Sequence, residues 1–497
     1  MVFDILDLGF PKSGTDWKSI NGKPYITVSS KGRSNGLSNK INDGADFGPD
    51  TTLNASSPNQ TGAPYSPYIG IEEAIKYAIA NNIGEIRLST GLFNITNAPF
   101  TTDPVTGRKY KLYIPIVNQS ITGGDNNPIS LKIVGGGKVV PTGYWSNIAT
   151  PGYLNTTVIY DGTVDTTTTN TANDFMFGVM ATPSTSSENP YNFIMLYTDG
   201  VLFQTQGTTN SYLGGVDVLN AIQASFGKIR IEMLQGQGLA HQSATGMMWV
   251  YGGGMLPVNT AESIDLIGWQ DGLISSFGHM YIGYIHVSRC YYAMSSYFPI
   301  VNYANQYPAF ISVAEFEICS YGLNLNTGPL SSESISTLIT FGSFGFGDSF
   351  LTGSPVNYIA SIISSGNSFG NAITILKYEL GPSGIVPIFS LGASWDKIEI
   401  LSWGNINGQS SGWSPIPTTP TVPASGTAQV NSNPYAVNVY LSGGTVTEIQ
   451  ITLNGTAYTV FSNSTGLALS GQVYKLRPSD SITITYTTAP TWIWMCD

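Results

Sequence analysis

Charged side chains are scarce in this chain of 497 residues. Asp, Glu, Lys and Arg make up 10% of it, against about 25% in an average globular protein. Lys and Arg never occur in a run longer than two, which argues against nucleic acid as a partner and against a polybasic membrane patch. Hydroxyl and amide groups must therefore cover most of the surface.

Cysteine and histidine are rarer still. The three cysteines, Cys290, Cys319 and Cys496, are too few for a disulfide scaffold, and none stands in a CxxC pair that would suggest zinc. The three histidines do not make a His-rich metal centre. We therefore expect no metal and no other cofactor.

Long apolar runs are also missing. No stretch of about 18 apolar residues predicts a membrane span, and the first residues, MVFDILDLGFPKSG, do not have the features of a secretory signal peptide. Apolar residues still make up 42% of the chain, which is enough for a core, and the composition suits a rigid, β-rich extracellular protein. The composition is that of an extracellular protein, although the first residues lack the features of a signal peptide. A virion component, made in the host cytoplasm and exposed at the virion surface after release, would account for both. A cytoplasmic protein of unusual composition is the alternative.

A helix followed by two short strands is predicted near the N-terminus. In GIEEAIKYAIAN (70–81), isoleucines recur every four residues and form one apolar helix face. Gly84 is placed to cap the C-terminus of this helix. In GEIRLSTGLFNI (84–95), apolar and polar residues alternate on both sides of Gly91, which predicts two strands around a tight bend.

Three further segments surround this unit: NDGADFGPDTTL (42–53) precedes it, and SLKIVGGGKVV (130–140) and TTVIYDG (156–162) follow. This order resembles the N-terminal part of right-handed parallel β-helices of the pectate-lyase-like superfamily, especially viral tailspikes. The chain departs from the family pattern in two places: Ser89 stands where the family usually has proline, and a polar insertion precedes the helix. The resemblance implies an all-β fold, a right-handed parallel β-helix behind an N-terminal capping helix, and a homotrimer.

Repeating units are visible from residue 226 onward. Coils of short alternating strands are what a β-helix requires. Four segments look like copies of one unit and two looser copies follow: KIRIEMLQGQGLA (228–240), SIDLIGWQDGLIS (263–275), YIHVSRCYYAMSS (284–296), AEFEICSYGLNLN (314–326), ASIISSGNSFGNAI (360–373) and KIEILSWGNINGQ (397–409). We align the first four copies on Leu239, Leu273, Met294 and Leu323.

This alignment predicts which side chains point outward. Asp265, His286 and Glu315 each lie between apolar residues that should face the core, so the period-two alternation of a strand points them outward. Stacked coils lie about 4.8 Å apart, and the three side chains would form a ladder on one outer face. The same alignment makes Cys290 and Cys319 neighbours, either as buried thiols or, less favoured, as a disulfide.

The C-terminal part has a different pattern. Residues 414–426, SPIPTTPTVPASG, have the composition of a linker. Residues 427–497 show alternating strands separated by turns, which predicts a small antiparallel β-sandwich. The remaining divisions are an N-terminal extension that is a candidate attachment segment (1–40) and the β-helix itself (41–413). The ending, SITITYTTAPTWIWMCD, resembles C-terminal modules of structural proteins from archaeal viruses of thermophiles.

Two kinds of site are candidates. The ladder of Asp265, His286 and Glu315 could serve a polysaccharide hydrolase or lyase, because glycoside hydrolysis needs two carboxylates at a defined separation. A solvated row of polar residues is the structural alternative. A group of tyrosines could stack on sugar rings or serve only in packing: Tyr281, Tyr284, Tyr291, Tyr292 and Tyr297.

Sequons are frequent in this Asn- and Thr-rich chain. If the host glycosylates its surface proteins, some of them carry sugar. The seven candidates are Asn54, Asn59, Asn94, Asn118, Asn155, Asn454 and Asn463.

The function that these features favour is that of a virion surface spike or fibre. It would attach to other virion proteins through one terminus and bind host surface glycans or pili. A polysaccharide-degrading enzyme of the same fold is the second hypothesis, and a structural shell or filament protein is the third. Close outward carboxylates would favour the enzyme, an exposed aromatic surface would favour binding, and burial among neighbours would favour the structural role.

Overall fold

The computed structural model describes residues 25–30, 45–49, 66–117, 129–137, 156–163, 174–182, 192–206, 213–234, 244–249, 259–275, 280–296, 308–325, 338–346, 360–363, 372–380, 389–390, 397–401, 403–405, 419–432, 436–453 and 455–496. Within these ranges the chain forms one α-helix, α1 (Ile71–Ala80), and thirty β-strands. The strands in chain order are β1 (Ile26–Val28), β2 (Glu85–Leu88), β3 (Gly91–Asn94), β4 (Thr101–Thr102), β5 (Lys109–Ile114), β6 (Ile129–Gly135), β7 (Thr157–Asp161), β8 (Asp174–Val179), β9 (Asn192–Asp199), β10 (Val201–Gln206), β11 (Gly214–Asp217), β12 (Ala221–Leu234), β13 (Thr245–Met248), β14 (Asn259–Ile267), β15 (Asp271–Ser275), β16 (Met280–Ser288), β17 (Tyr292–Ser296), β18 (Ala309–Glu317), β19 (Tyr321–Asn324), β20 (Leu338–Phe346), β21 (Ala360–Ile363), β22 (Ala372–Leu380), β23 (Phe389–Ser390), β24 (Lys397–Ile400), β25 (Trp403–Asn405), β26 (Ala428–Val430), β27 (Val437–Leu453), β28 (Thr456–Leu476), β29 (Ser481–Thr488) and β30 (Thr491–Cys496).

Most of these strands belong to two sheets whose pairings are parallel, apart from the antiparallel pair β4–β5. Sheet A has fifteen strands in the order β1-β2-β6-β9-β12-β14-β16-β18-β20-β22-β24, with β3, β7, β10 and β25 off this path. Sheet B has ten, in the order β23-β21-β19-β17-β15-β13-β11-β8-β5-β4. From β12 to β24 the chain alternates between the sheets, so each strand pairs with the strand two positions later. The described part of the chain is therefore nearly all β with large parallel sheets, as the sequence predicted.

The register between neighbouring repeats follows the predicted alignment. Ile285 pairs with Ile264 and with Ala314 on sheet A, and all three side chains are buried. On sheet B, Met294 pairs with Leu273 and with Leu323. Because neighbouring strands keep the same inward positions, one hydrophobic cluster joins the side chains of both sheets and of α1.

The alignment of the first repeat is wrong. Met247, not Leu239, pairs with Leu273, and Leu239 lies outside the described residues. Ile231 pairs with Leu266. Sixteen positions separate Ile231 from Met247 in the first repeat, whereas seven separate Leu266 from Leu273 in the second. The nine additional residues between the sheet A strand and the sheet B strand displaced the alignment.

The corner after strands β14, β16 and β18 repeats as well. Gly268, Arg289 and Ile318 have positive φ angles of 87°, 58° and 53°, a conformation that only glycine adopts without strain. The residue that follows each of them is fully buried: Trp269, Cys290 and Cys319. Both cysteines are free thiols, so the structure confirms them as buried neighbours and shows no disulfide between them.

The predicted helix is confirmed, but its predicted cap is wrong. Asn82, not Gly84, has the left-handed conformation, with φ 54°. The amide of Ile83 donates to the carbonyl of Ala78 at 2.8 Å, and the amide of Asn82 donates to that of Ile79 at 3.3 Å. These two bonds form a Schellman motif, in which asparagine takes the place usually held by glycine.

Sheet C contains β26 to β30 in the order β26-β29-β27-β28, with β30 also beside β27, and its pairings are antiparallel. It has a hydrophobic cluster of its own. Residues 419–426, predicted as linker, contact this sheet: Trp492 Nε1 donates to the carbonyl of Pro420 at 2.7 Å, and the Tyr486 hydroxyl donates to that of Pro423 at 2.7 Å. The end of the predicted linker therefore packs on sheet C.

The helix cap yields the first prediction. Asn82→Ala should lower the free energy of unfolding by about 0.5–1 kcal/mol, because alanine disfavours the left-handed conformation, and Asn82→Gly should not lower it. Gly84→Ala is the matched control: an added Cβ would meet only the Ser130 carbonyl oxygen, at 3.7 Å. Urea unfolding of the three variants tests this. A larger loss for Gly84→Ala than for Asn82→Ala would contradict the assignment.

Candidate functional site

Asp265, His286 and Glu315 lie side by side on strands β14, β16 and β18. The residues that flank Asp265, Ile264 and Leu266, are buried in the core, and strand alternation points Asp265 to the opposite face of sheet A. The same holds for His286 and Glu315, whose flanking residues are also buried. The predicted ladder is therefore present.

The structure brings two of the three side chains into contact. His286 Nδ1 lies 2.7 Å from Asp265 Oδ1, and His286 Nε2 lies 3.4 Å from Glu317 Oε2. Glu315 is adjacent to His286 in register but accepts a hydrogen bond at 2.6 Å from the hydroxyl of Tyr284. The histidine thus bridges Asp265 and Glu317, and Glu315 has a different partner.

The ladder continues toward the N-terminus through residues that the sequence did not single out. Arg230 NH1 lies 3.1 Å from Asp265 Oδ2, and Arg230 Nε lies 2.6 Å from Glu232 Oε2. Gln204 Nε2 donates to Glu232 Oε1 at 2.7 Å. We call the connected set the polar ladder: Gln204, Glu232, Arg230, Asp265, His286 and Glu317.

Arg230 could have been found from the sequence. Ile229 and Ile231 flank it as Ile264 and Leu266 flank Asp265, and the structure pairs these positions. The incorrect alignment on Leu239 did not match Arg230 with Asp265.

Opposite charges alternate along the polar ladder. Burial alone would lower the pKa of His286, but the hydrogen bonds to Asp265 and Glu317 outweigh it and raise the pKa to about 10. The imidazole is therefore charged at neutral pH. Burial and the hydrogen bond to Glu315 also raise the pKa of the Tyr284 hydroxyl, which stays protonated.

The hydrogen bonds of this site argue against a catalytic pair of carboxylates. Asp265 and Glu315 stand two strands apart, a backbone separation of about 9.6 Å, which is close to the upper end of the range of about 6.5–9.5 Å between the carboxyl groups of inverting glycosidases and well above the value of about 5–5.5 Å for retaining ones. Both carboxylates are engaged within the protein, Asp265 by Arg230 and His286, and Glu315 by the Tyr284 hydroxyl. Asp271, in the same repeat as Asp265, accepts a hydrogen bond from Ser295 at 2.7 Å, and burial raises its pKa to about 6.

One of the predicted tyrosines, Tyr281, forms an aromatic platform with Phe310 on sheet A. The Tyr281 and Phe310 rings stack with centroids 5.6 Å apart and planes 10° apart. Tyr281 is 45% exposed, and its hydroxyl lies 3.2 Å from Ser312 Oγ. Tyr284 lies on the same strand as Tyr281, three residues further along. Phe310 was missed, although it precedes Glu315 by five residues, as Tyr281 precedes His286.

The other tyrosines lie elsewhere. Tyr291 and Tyr292 contact each other with ring centroids 4.7 Å apart, and both contact Tyr321, at 5.3 and 5.1 Å. All three are half-buried at the corner that leads into sheet B. Tyr297 lies outside the described residues. The structure therefore brings only Tyr291 and Tyr292 of the predicted group into contact with each other and separates them in sequence and sheet position from Tyr281 and Tyr284 on β16.

Two of the seven predicted sequons fall within the described residues, at Asn94 and Asn463. Asn94 is exposed at the end of β3. Asn463 Oδ1 accepts hydrogen bonds from the amide and the hydroxyl of Thr465, at 3.0 and 2.9 Å. The other five lie outside the described residues: Asn54, Asn59, Asn118, Asn155 and Asn454.

Within the described ranges, no group of three or more His, Cys, Asp or Glu side chains is arranged to hold a metal ion. In the same part of the chain, no helix is long and apolar enough to cross a membrane. The sequence matches no protein-family model, and no curated protein matches it.

The polar ladder yields the second prediction. Because the pKa of His286 is raised on folding, its charge contributes stability that is fully present below pH 6.5 and is lost as the pH rises through about 10. The difference in unfolding free energy between the wild type and His286→Gln should therefore narrow by roughly 2–4 kcal/mol from pH 6 to pH 10. Urea unfolding at a series of pH values measures it. A difference that does not change with pH would show that the histidine is not held as a cation.

Proposed function

We propose that this protein is a virion surface spike or fibre that binds glycans on the host cell. The observation that carries the proposal is the aromatic platform of Tyr281 and Phe310. It is an exposed stacking surface on sheet A, with the hydroxyl of Ser312 3.2 Å from that of Tyr281. Aromatic faces with hydroxyl and amide groups beside them are suited to sugars, which present both apolar CH faces and hydroxyls.

The proposed fold is a right-handed parallel β-helix formed by sheets A and B, with sheet C as a β-sandwich. Three observations support the β-helix: the alternation of strands between the sheets, their parallel in-register pairing, and the single core cluster. Helix α1 contributes apolar side chains to this core beside the first strands of sheet A, as the capping helix of the tailspike-like family would. The antiparallel pairing and separate core of sheet C support the second part.

A sugar ring would bind on the open side of Tyr281. One face of the tyrosine ring is covered by Phe310, and on the other side the register places Thr260, a small exposed residue. A ring stacked there would lie within reach of the hydroxyls of Thr260 and Ser312. A pilus that carries glycans would present the same chemistry.

The virion context rests on composition and resemblance. A charge-poor surface rich in hydroxyl and amide groups suits exposure outside the cell. Resemblance to tailspikes supports a homotrimer attached to other virion proteins through one terminus, and the C-terminal resemblance supports an archaeal virus of a thermophile. The protein would then be made in the host cytoplasm and act on the virion surface.

A polysaccharide-degrading enzyme is the second candidate, because His286 contacts Asp265 directly. The hydrogen bonds that engage both Asp265 and Glu315 weigh against it. A structural shell or filament role remains the third candidate.

The aromatic platform yields the third prediction. Tyr281→Ala should weaken binding of envelope polysaccharide from a susceptible host by about tenfold, the loss expected when about 1.4 kcal/mol of stacking is removed. Tyr291→Ala, in the separate tyrosine cluster, is the control and should bind like the wild type. Surface plasmon resonance on immobilised polysaccharide measures both. Equal affinities for the wild type and Tyr281→Ala would contradict the platform as the binding site.

The fourth prediction separates binding from catalysis. The wild type should retain polysaccharide without releasing oligosaccharides during prolonged incubation, because Asp265 and Glu315 are both held by hydrogen bonds within the protein. Mass spectrometry of the soluble fraction detects release. Release that disappears in an Asp265→Asn, Glu315→Gln double variant would make the protein a depolymerase. If the protein neither retains the polysaccharide nor releases oligosaccharides, the result favours the role of a structural shell protein.

A further inference from the structure

Strand β28 is long and almost entirely uncovered. It runs for 21 residues, Thr456–Leu476, and only Leu469 and Leu476 are buried. Its partner along one edge is β27. Along the other edge, none of the described strands pairs with it, since β28 ends the order of sheet C. The strand therefore presents an open edge of unpaired backbone groups.

Part of the core-facing side of β28 is also uncovered. Tyr458 and Leu467 lie opposite Ile451 and Val446 of β27, and those two side chains are buried in the core. Directly opposed residues point to the same face of a sheet. Tyr458 is nevertheless 52% exposed and Leu467 48%. The apolar layer of sheet C therefore extends beyond the elements that cover it.

The strand has one charge and no proline. Proteins protect edge strands with charges, prolines, bulges and short lengths. Lys475 is the only charged residue of β28, and the strand contains no proline. Three bulges interrupt its register with β27: four residues, 463–466, stand opposite Thr447 alone, and Val460 and Gly471 are each one additional residue. Arms of seven and ten residues remain on the two sides of the widest bulge.

We propose that the open edge of β28 pairs with the same edge of a second copy of this chain. The area is about that of a specific interface. The fifteen residues outside the three bulges form an edge about 50 Å long, and a sheet is about 10 Å thick. Pairing would bury roughly 1,000 Å² in total, the approximate size that a specific interface requires.

The edge is also compatible with itself. Antiparallel pairing about a two-fold axis near Gly466 sets Lys475 of one copy opposite Ala457 of the other, so the only charge meets no like charge. The half-exposed apolar side chains of the core face, Tyr458 and Leu467, would continue into the core face of the second copy. This inference does not depend on glycan binding.

The mass of the full-length protein in solution tests the proposal. Sedimentation velocity at about 10 μM should show an even number of protomers, two if no other interface forms and six if trimers also assemble. The double variant Leu467→Lys, Val473→Lys should have half that mass, because lysines on an edge oppose pairing. Tyr458→Lys, Val460→Lys, in the other arm, is a second variant and should give the same result.

Tyr440→Lys is the matched control. Tyr440 is exposed and lies beside Val473 in register, but on the central strand β27. It should keep the wild-type mass. A monomeric or trimeric wild type, full mass in both edge variants, or a halved mass in the control would each overturn the proposal. Hydrogen exchange should also show β28 amides that are protected in the wild type and exposed in the edge variants.

Discussion

The spacing between parallel strands, about 4.8 Å, constrains the whole of sheets A and B. Each strand lies beside the equivalent strand of the next repeat, so a residue type at one position meets its counterpart at that distance. Apolar residues at inward positions thereby form a continuous core. The same rule acts on the outer face, where a charge would meet a like charge unless the sequence alternates the signs.

The polar ladder shows how the sequence meets that constraint. Arg230, Asp265, His286 and Glu317 alternate in sign across four neighbouring strands. The histidine bears a charge because a carboxylate lies on each side of it, and the raised pKa follows from that arrangement. A site whose charges are paired in this way stabilises the stack. The aromatic platform of Tyr281 and Phe310 lies on the same sheet, and it is the surface that we propose binds a ligand.

The repeat alignment and period-two alternation were enough to predict the outward ladder and the neighbouring cysteines, because these depend only on local pattern and register. The parallel pairing of the strands was implied by the resemblance to β-helix proteins. Leu239 was aligned wrongly because nine additional residues in the first repeat leave no periodic signal. Gly84 was chosen as the helix cap on residue type, although Asn82 holds the left-handed conformation. The contact of Glu315 with Tyr284 depends on side-chain geometry across two strands, and a one-dimensional pattern does not contain it.

The most direct test of this account is the distance between spin labels at Lys132 on β6 and Glu399 on β24, measured by pulsed electron resonance. A Cys496→Ser background is suitable, because Cys290 and Cys319 are fully buried. Eight strand-to-strand steps separate β6 from β24 in sheet A, which predicts a narrow distribution near 38 Å, about eight times the strand spacing. A broad distribution, or a mean below about 25 Å or above about 55 Å, would contradict the continuous parallel stack.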